Sequence, residues 1–281
     1  GYNRSLKGRE KLRAAGVDLT DSMDKFITKL GGTKEGVQAA KKIVWLMLPA
    51  GQATDDAIFG KKGVLGGLSK GDILIDGANA YYKDTARRAR ILARKGIKFL
   101  DAGVSGGPSG ALNGACVMIG GEKKVFREVE YLFKDISAKD GYKFFDGAGA
   151  GHFVKMVHNG IEYGMMQAIA EGFNIMKKSR FKPDLSRVAE IYNNGSVIES
   201  RLIGWLAGAF KERGQDLNGV SGKVGATGEG AWTVQTAKEM KLKAKIIEES
   251  LKFRKNSQKS PDYTGKILAA LREQFGGHSV K

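Results

Sequence analysis

Long hydrophobic runs and cysteine pairs are missing from this sequence, and each absence excludes a class of protein. None of its apolar runs approaches the roughly 18 residues that a membrane span needs, and the longest strong run is Ile43 to Pro49. The opening residues, GYNRSLKGREKLR, carry charges without the apolar core of a signal peptide. The single cysteine, Cys116, excludes an internal disulfide and fits a reducing compartment. We therefore expect a cytoplasmic protein that has no membrane partner.

A glycine-rich pyrophosphate turn is missing as well. Open parallel sheets that bind dinucleotides normally begin with a strand, a Gly-rich turn and a helix, and the sequence contains no G-x-G-x-x-G. Residue 1 is Gly rather than Met, and GYNRS is typical of the end of a second strand. Either the sequence is a fragment or the protein has lost this unit, and we favour a fragment.

Acidic residues are few relative to basic ones. The chain has 47 Lys and Arg against 30 Asp and Glu, a net charge of +17. Such a field attracts polyanions, phosphorylated metabolites and dinucleotides alike. The lysines are scattered, however, and the dense run at 238–259 alternates charged with apolar residues as a solvated helix does. No nucleic-acid-binding motif accompanies the charge, so we do not expect nucleic acid as a partner.

The first half of the chain alternates short apolar runs with helical stretches. Buried-strand patterns lie at 41–48, 72–79, 97–103, 115–121 and 143–149. Strands separated by helices predict a mostly parallel sheet with ligand-binding loops at the carboxyl ends of its strands. From about Gly151 the pattern is helical, with predicted helices at 152–178, 185–194, 197–213, 233–240, 243–255 and 263–274. We predict an α/β Rossmann-like domain over 1–148, lacking its first strand–turn–helix, followed by an all-α domain over 149–281.

One predicted helix, KMVHNGIEYGMMQ at 155–167, carries an unusual polar face. Lys155, His158, Asn159, Glu162 and Tyr163 follow helical spacing, while the rest of the segment is strongly apolar. A desolvated lysine has a lowered pKa and a desolvated glutamate a raised pKa, so each becomes a usable base or acid near neutral pH. Two turns separate them, about 10 Å. The alternative is an internal Lys–Glu ion pair within a structural polar network.

Three weaker signals lie elsewhere. The glycine-rich turn at 105–107 follows a strand, where backbone N–H groups could approach a carboxylate or hydroxyl, although ordinary tight turns use the same residues. Residues 3–5 follow the possible second strand, and an Arg with small polar neighbours suits a 2′-phosphate; a helix N-cap is compatible with the same residues. Arg272 and His278 lie near the carboxyl end, where a lone histidine is usually just solvated.

Together these motifs resemble the decarboxylating 6-phosphogluconate dehydrogenases, especially their shorter bacterial form. The resemblance runs essentially from residue 3 to the end of the chain. Its most specific segments are GHFVKMVHNGIEYGMMQA (151–168), VSGGPSGALNG (104–114), DGANAYYKDT (76–85), NNGSVIESRL (193–202) and FGGHSVK (275–281). The resemblance implies oxidative decarboxylation of 6-phosphogluconate with NADP, in the pentose phosphate pathway, with NAD as a possible cofactor.

The resemblance also implies a role for each residue. Lys155 is the expected general base and Glu162 the expected acid. The residues expected to hold the sugar acid and its phosphate are Asn79, Ser105, Gly106, Gly107, His158, Asn159, Tyr163, Arg254, Arg272 and His278. Those expected at the cofactor are Asn3, Arg4, Ser5, Leu48, Pro49, Ala50 and again Asn79. No metal is implied. The family's carboxyl-terminal tail enters the partner subunit's site, so a homodimer with Arg272 and His278 acting in trans is expected.

Departures from the family pattern leave two alternatives open. Because the pyrophosphate turn is absent, we expect this chain to bind NADP poorly. Thr227 and Glu229 stand in GATGEGAWT where longer members place a Lys and a Thr at the phosphate, so that role is not assigned to them. One alternative is a β-hydroxyacid dehydrogenase of the 3-hydroxyisobutyrate type, which shares the SGG turn and the helix lysine. The other is a non-catalytic remnant that binds a phosphorylated metabolite.

Overall fold

A computed structural model describes residues 1–3, 5–31 and 41–281 of the chain. It divides into two compact units. The first comprises Gly1–Val104, Val117–Phe133 and Tyr142–Phe153, and the second comprises Ser105–Cys116, Lys134–Gly141 and Val154–Lys281.

A five-stranded sheet with helices forms the first half of the described chain. Its strands, in the spatial order β1 to β5, are β1 (Ile43–Leu46), β2 (Ile73–Asp76), β3 (Lys98–Ser105), β4 (Ala115–Gly121) and β5 (Ser137–Asp146). The helices of this half are α1 (Leu6–Ala14), α2 (Met23–Gly31), α3 (Gln52–Phe59), α4 (Tyr82–Ala93), α5 (Gly107–Asn113) and α6 (Lys123–Ile136), with a 3-10 turn at Val64–Gly67. The predicted Rossmann-like α/β class is confirmed.

The first three strands are parallel, and β1 and β2 end level with each other, whereas β3 continues past them to Ser105. Leu46 pairs with Asp76, and Asp76 pairs with Asp101. All four residues of β2 are buried, as expected for a strand covered on both faces. The loops that follow β1 and β2 therefore begin at one edge of the sheet, the edge where parallel sheets bind their ligands.

Helices alone make up the chain after β5. They are α7 (Ala150–Lys178), α8 (Leu185–Tyr192), α9 (Arg201–Arg213), α10 (Gly228–Glu239), α11 (Lys245–Ser257) and α12 (Tyr263–Gly276). The core of the second unit is built from apolar faces of α7, α8, α9 and α12, and Phe173, Leu206, Phe210 and Leu268 are among its fully buried side chains. The predicted all-α region is thus confirmed, with α7 as its longest helix.

The first turn of α7 is held by a buried carboxylate. Asp101, in β3, accepts hydrogen bonds from the backbone N–H of Gly149 at 2.7 Å and of His152 at 2.8 Å. Helix N-termini leave backbone N–H groups unpaired, and an acceptor there also meets the positive end of the helix dipole. Burial raises the pKa of Asp101 even though the nearby His152 charge and both N–H donors lower it. The buried carboxylate of Asp101 therefore serves to cap the start of α7.

Several elements differ from their sequence predictions. Tyr2 forms only an isolated parallel bridge with Thr20, rather than the end of a strand. The turn after Gly106 continues as helix α5. Helix α9 begins at Arg201 rather than at 197, because the Ser200 side chain accepts from the Ile203 N–H and caps it. Helix α10 begins near 228, five residues before the apolar pattern predicts.

A helix that crosses a membrane must be both long and strongly apolar. In the described ranges no helix meets both conditions, not even α7, which has 29 residues.

We predict that Asp101→Ala lowers the free energy of unfolding by about 2 kcal/mol, because two buried N–H groups lose their acceptor. Asp184→Ala is the matched control, since Asp184 also caps a helix, accepting from Ser186 and Arg187, but is exposed. That variant should lose about 1 kcal/mol or less. Urea denaturation of both variants measures the difference, and equal losses would contradict the role of the buried cap.

Candidate active site

The polar face predicted for 155–163 lies on α7 as one connected group, which we call the acid–base face (Lys155, His158, Asn159, Glu162 and Tyr163). The Lys155 Nζ atom lies 2.5 Å from Asn159 Oδ1 and 3.3 Å from His158 Nδ1. His158 Nδ1 in turn lies 2.9 Å from Asn159 Oδ1 and 3.9 Å from Glu162 Oε2. Lys155 is only 5% exposed. The lysine and glutamate thus make no direct pair and are linked through His158.

Burial moves the two ionisable ends of this face in opposite directions. It lowers the pKa of Lys155, against the raising effect of the Glu162, Glu229 and Cys116 charges. It raises the pKa of Glu162, although the Lys155, Arg254 and Arg272 charges lower it. The pKa of His158 is lowered by burial and by the Lys155 charge. A lysine that releases its proton more easily and a glutamate that keeps it are the requirements for a base and an acid near neutral pH.

A cavity of about 390 Å³ opens beside this face, within the second unit. Its polar wall contains Ser105, Gly106, Gly107, His158 and Glu162. The Ser105 Oγ atom lies 3.4 Å from His158 Nε2, so the predicted glycine-rich turn and the acid–base face meet here. Ile161, Met165, Leu202, Trp205 and Phe275 form an apolar wall. The volume suits a small organic acid.

Glycine at 107 is required by this packing. Its φ is +58°, and a Cβ atom there would lie 2.1 Å from the backbone oxygen of Phe275 in α12. No side chain fits that gap, so the turn and the end of α12 approach as bare backbone.

A second group, which we call the arginine cluster (Tyr163, Arg254, Arg272 and His278), adjoins the acid–base face. The Arg254 guanidinium lies 3.5 Å from the centroid of the Tyr163 ring, a cation–π contact, and donates to the Gly225 carbonyl at 3.1 Å. Burial lowers the pKa of Arg254 to about 10. Neither arginine forms a salt bridge with a carboxylate in the ranges that the structure describes. The cluster therefore presents positive charge suited to an anion.

The carboxyl-terminal members of the cluster come from the same chain. Burial lowers the pKa of Arg272, and the nearby Glu162 carboxylate opposes that shift. His278 is near both arginines, whose charges add to burial in lowering its pKa. Val280 is buried in the core of the second unit, and its carbonyl accepts from the Ser221 N–H at 2.9 Å. Within the single chain, the tail thus lies close to its own α7, and the action in trans that the resemblance implies stays a prediction.

The residues expected at the cofactor lie in the first unit. The Asn79 side chain pairs twice with the backbone of Val104, donating at 3.0 Å and accepting at 2.8 Å. Ser5 caps α1 by accepting from the Gly8 N–H, and its own N–H donates to Asn3 Oδ1, so the N-cap alternative holds for Ser5. Leu48, Pro49 and Ala50 form the loop after β1. Arg4 lies outside the described residues.

Three of the residues that line the cavity were not predicted from the sequence. Ser200, Arg201 and Trp205 line the cavity, and the signal was available in NNGSVIESRL, where a Ser before an apolar run predicts an N-cap and hence a helix start. Thr227, set aside at first, donates its N–H to Tyr163 Oη at 3.0 Å. Its neighbour Glu229 is buried near the acid–base face. Over the described ranges, no group of three or more His, Cys, Asp or Glu side chains is arranged to hold a metal ion.

Comparison with known proteins gives consistent matches over nearly the whole chain. Residues 1–149 match the model of the NAD binding domain of 6-phosphogluconate dehydrogenase, and residues 151–264 match the model of the 6-phosphogluconate dehydrogenase C-terminal domain.

Individual relatives agree. The chain is 41% identical over 281 residues to YqeC of Bacillus subtilis (strain 168), covering all of this chain and 90% of that protein, whose name assigns it provisionally as a 6-phosphogluconate dehydrogenase. It is 36% identical over 267 residues to a Haloferax volcanii protein named an NAD(+)-dependent, decarboxylating 6-phosphogluconate dehydrogenase, covering 95% of this chain and 85% of the relative. Plasmodium falciparum 6-phosphogluconate dehydrogenase, solved in its apo form and with NADP+ or 6-phosphogluconate, superposes with a TM-score of 0.77 at 28% identity, covering 98% of this chain and 64% of that one.

The raised pKa of Glu162 predicts that this carboxyl destabilises the folded protein. An unfolded glutamate ionises near pH 4.3, so the cost of ionising Glu162 in the folded state is absent at pH 4 and develops as pH rises toward its folded pKa. We therefore expect Glu162→Gln to raise the urea midpoint at pH 8 and to leave it unchanged at pH 4. Glu190→Gln, the same charge change at an exposed position on α8, is the control and should show no such pH dependence. A lower midpoint for Glu162→Gln at pH 8 would be inconsistent with a raised pKa.

Proposed function

The chain belongs to the 6-phosphogluconate dehydrogenase family, and from that premise we propose that it converts 6-phosphogluconate into ribulose 5-phosphate and CO2 with reduction of NADP. The observation that carries this proposal is the acid–base face. A buried lysine with a lowered pKa and a buried glutamate with a raised pKa lie on one helix face, and His158 and Glu162 of that face line a cavity of suitable size.

In the proposed reaction Lys155 acts first. Its neutral amine takes the proton of the substrate's C3 hydroxyl, with Asn159 and His158 holding the Nζ atom in place. Bound NADP would supply the acceptor for the hydride that leaves C3. The 3-keto acid so formed loses its carboxylate as CO2, because the new carbonyl accepts the electron pair while the Lys155 ammonium returns its proton to the carbonyl oxygen. Glu162 then protonates C1 of the resulting enediol as Lys155 takes back the hydroxyl proton, a step that needs the Glu162 carboxyl to be protonated at neutral pH.

Substrate binding is assigned to two groups. The hydroxyls and carboxylate of the sugar acid would be held by the turn Ser105–Gly107 together with His158 and Asn159, which the structure brings together within the second unit. The phosphate would be bound by the arginine cluster, whose two guanidinium groups have no carboxylate partner among the described residues. Asn79 is proposed for the nicotinamide side and for the sugar acid, as the resemblance implies.

The first unit fits a dinucleotide at the ends of its strands. Because β1 and β2 are parallel and end in register, the loops after Leu46 and Asp76 begin at a common edge of the sheet. Leu48, Pro49 and Ala50 would meet the adenosine side there. We propose NADP as the preferred cofactor from Asn3, Arg4 and Ser5, with NAD as the alternative that one relative's name carries.

We propose further that the protein is a homodimer. Exposed apolar side chains on α7, with Ile175 71% and Ile161 53% exposed, and Ile246 on α11, 72% exposed, are the kind of surface that a second copy would cover. Because α12 packs in the core of its own chain, we propose that each subunit supplies its own Arg272.

Removing either end of the acid–base face should abolish the reaction. We expect Lys155→Met and Glu162→Gln each to lower kcat for 6-phosphogluconate at least 10²–10⁴-fold, the range typical of a lost general acid or base. Nicotinamide reduction and CO2 release are measured together, with NADP and NAD, and with 3-hydroxyisobutyrate as the competing substrate. Unaltered circular dichroism and the Glu190→Gln control exclude misfolding. Near-normal rates in either variant, or turnover of 3-hydroxyisobutyrate alone, would overturn the proposal.

Mixing two inactive variants tests the origin of Arg272. Consider a heterodimer of one Lys155→Met chain and one Arg272→Met chain. If each active site uses Lys155 and Arg272 of the same chain, both sites are defective, because each chain lacks one of these two side chains. We therefore expect no recovery of activity after the subunits are unfolded and refolded together. If the tail served the partner's site, one site per heterodimer would be complete and about a quarter of wild-type activity would return, from random pairing of the two chains.

A further inference from the structure

The acid–base face is approached by a second buried carboxylate that the reaction scheme does not use. Helix α10 packs against α7 at two points. Thr233 Oγ1 donates to the Met156 carbonyl at 2.8 Å, and a Cβ atom on Gly230 would lie 2.4 Å from the Tyr163 ring. Glu229, in the first turn of α10, is adjacent to the second contact and only 9% exposed.

Nothing in the described structure neutralises Glu229 directly. Its carboxylate makes no hydrogen bond and no salt bridge among the residues the structure describes. Its charge nevertheless acts on both ends of the acid–base face, Lys155 and Glu162. A buried carboxylate lowers the stability of the folded protein unless nearby positive charges compensate it. Lys155 is a cation on which the Glu229 charge acts.

We infer that Glu229 is a positioning residue of the acid–base pair, whose fixed negative charge holds protons on Lys155 and Glu162. The inference rests on the proposed function. Its physical content is a balance between burial and charge. Burial alone would leave Lys155 a weak base, because an amine that loses its proton too easily also takes one poorly. Glu229 opposes that loss, and the same charge keeps Glu162 protonated when it must donate to C1.

Other charged groups face the pair and set the background for this effect. Lys155 also feels Glu162 and Cys116, and lies against His158. Glu162 also feels Lys155 from its own helix, Arg254 from α11 and Arg272 from α12, all of which favour its ionised form. Glu229 is therefore the charge that opposes the two arginines at Glu162. Removing it should let both groups of the pair release their protons at lower pH.

The test is the pH profile of kcat/KM for Glu229→Gln, which preserves shape and removes the charge. Because a negative charge raises the pKa of an acid and of a base alike, both limbs of the bell should move to lower pH by roughly one unit. Loosened packing would act differently. Water entering the site would bring the pKa of Lys155 up and that of Glu162 down, so the limbs would move in opposite directions. That pattern, or an unmoved profile, would overturn the inference.

Two further variants and one direct readout complete the design. Glu229→Asp keeps the charge and should restore the wild-type profile, whereas Glu190→Gln should change nothing. If Glu229→Gln does not fold, Glu229→Met provides the uncharged substitute. The acylation rate of Lys155 as a function of pH, followed by peptide mass spectrometry, reports the lysine without turnover. If the wild-type protein were inactive on 6-phosphogluconate, the proposed function would be refuted, but the acylation experiment would still test the role of Glu229. A pH midpoint of Lys155 acylation about one unit lower in Glu229→Gln than in the wild type would support the inference, and an unchanged midpoint would overturn it.

Discussion

The chemistry proposed for this protein depends on keeping water away from one face of α7. In water, a lysine amine and a glutamate carboxyl would both be charged at neutral pH and neither would exchange a proton usefully. Packing Lys155 to 5% exposure lowers the pKa of its amine, and the same burial raises the pKa of Glu162. The hydrogen bonds from Lys155 to Asn159 and His158 then keep a buried polar group satisfied.

Such a site has to be supported by the apolar core around it. Phe173, Leu206, Phe210 and Leu268 form part of a core from which α7, α9 and α12 project their polar residues. Arg254 is only 2% exposed and has lost most of its contact with water. The face of the Tyr163 ring partly replaces that water through a cation–π contact with the guanidinium group. The net charge of +17 therefore has a local component, since part of it is concentrated where an anionic substrate would bind.

The hydrophobic pattern of the sequence predicted the main strands and the long helix. The strand runs predicted near 43, 73, 98 and 115 and the long helix after residue 150 are all present, because continuous apolar runs and a 3.6-residue repeat reflect burial that any packing must satisfy. Element ends were less predictable. The starts of α9 and α10 depend on Ser200 and on the glycines around 228, where capping rather than hydrophobicity decides. The spacing on α7 also gave the acid–base face, since one helix places its own residues.

By itself, then, the sequence determined the classes of its elements, the five polar residues that share a face of α7, and, through its motifs, the family. Only the tertiary structure decided what surrounds that face. The contact of Arg254 with Tyr163, the interaction of Glu229 with Lys155 and that of Arg272 with Glu162 join residues that are up to 110 positions apart (272 minus 162). Such pairings depend on how helices pack, and packing satisfies shape and charge across the whole core at once, which no local spacing encodes.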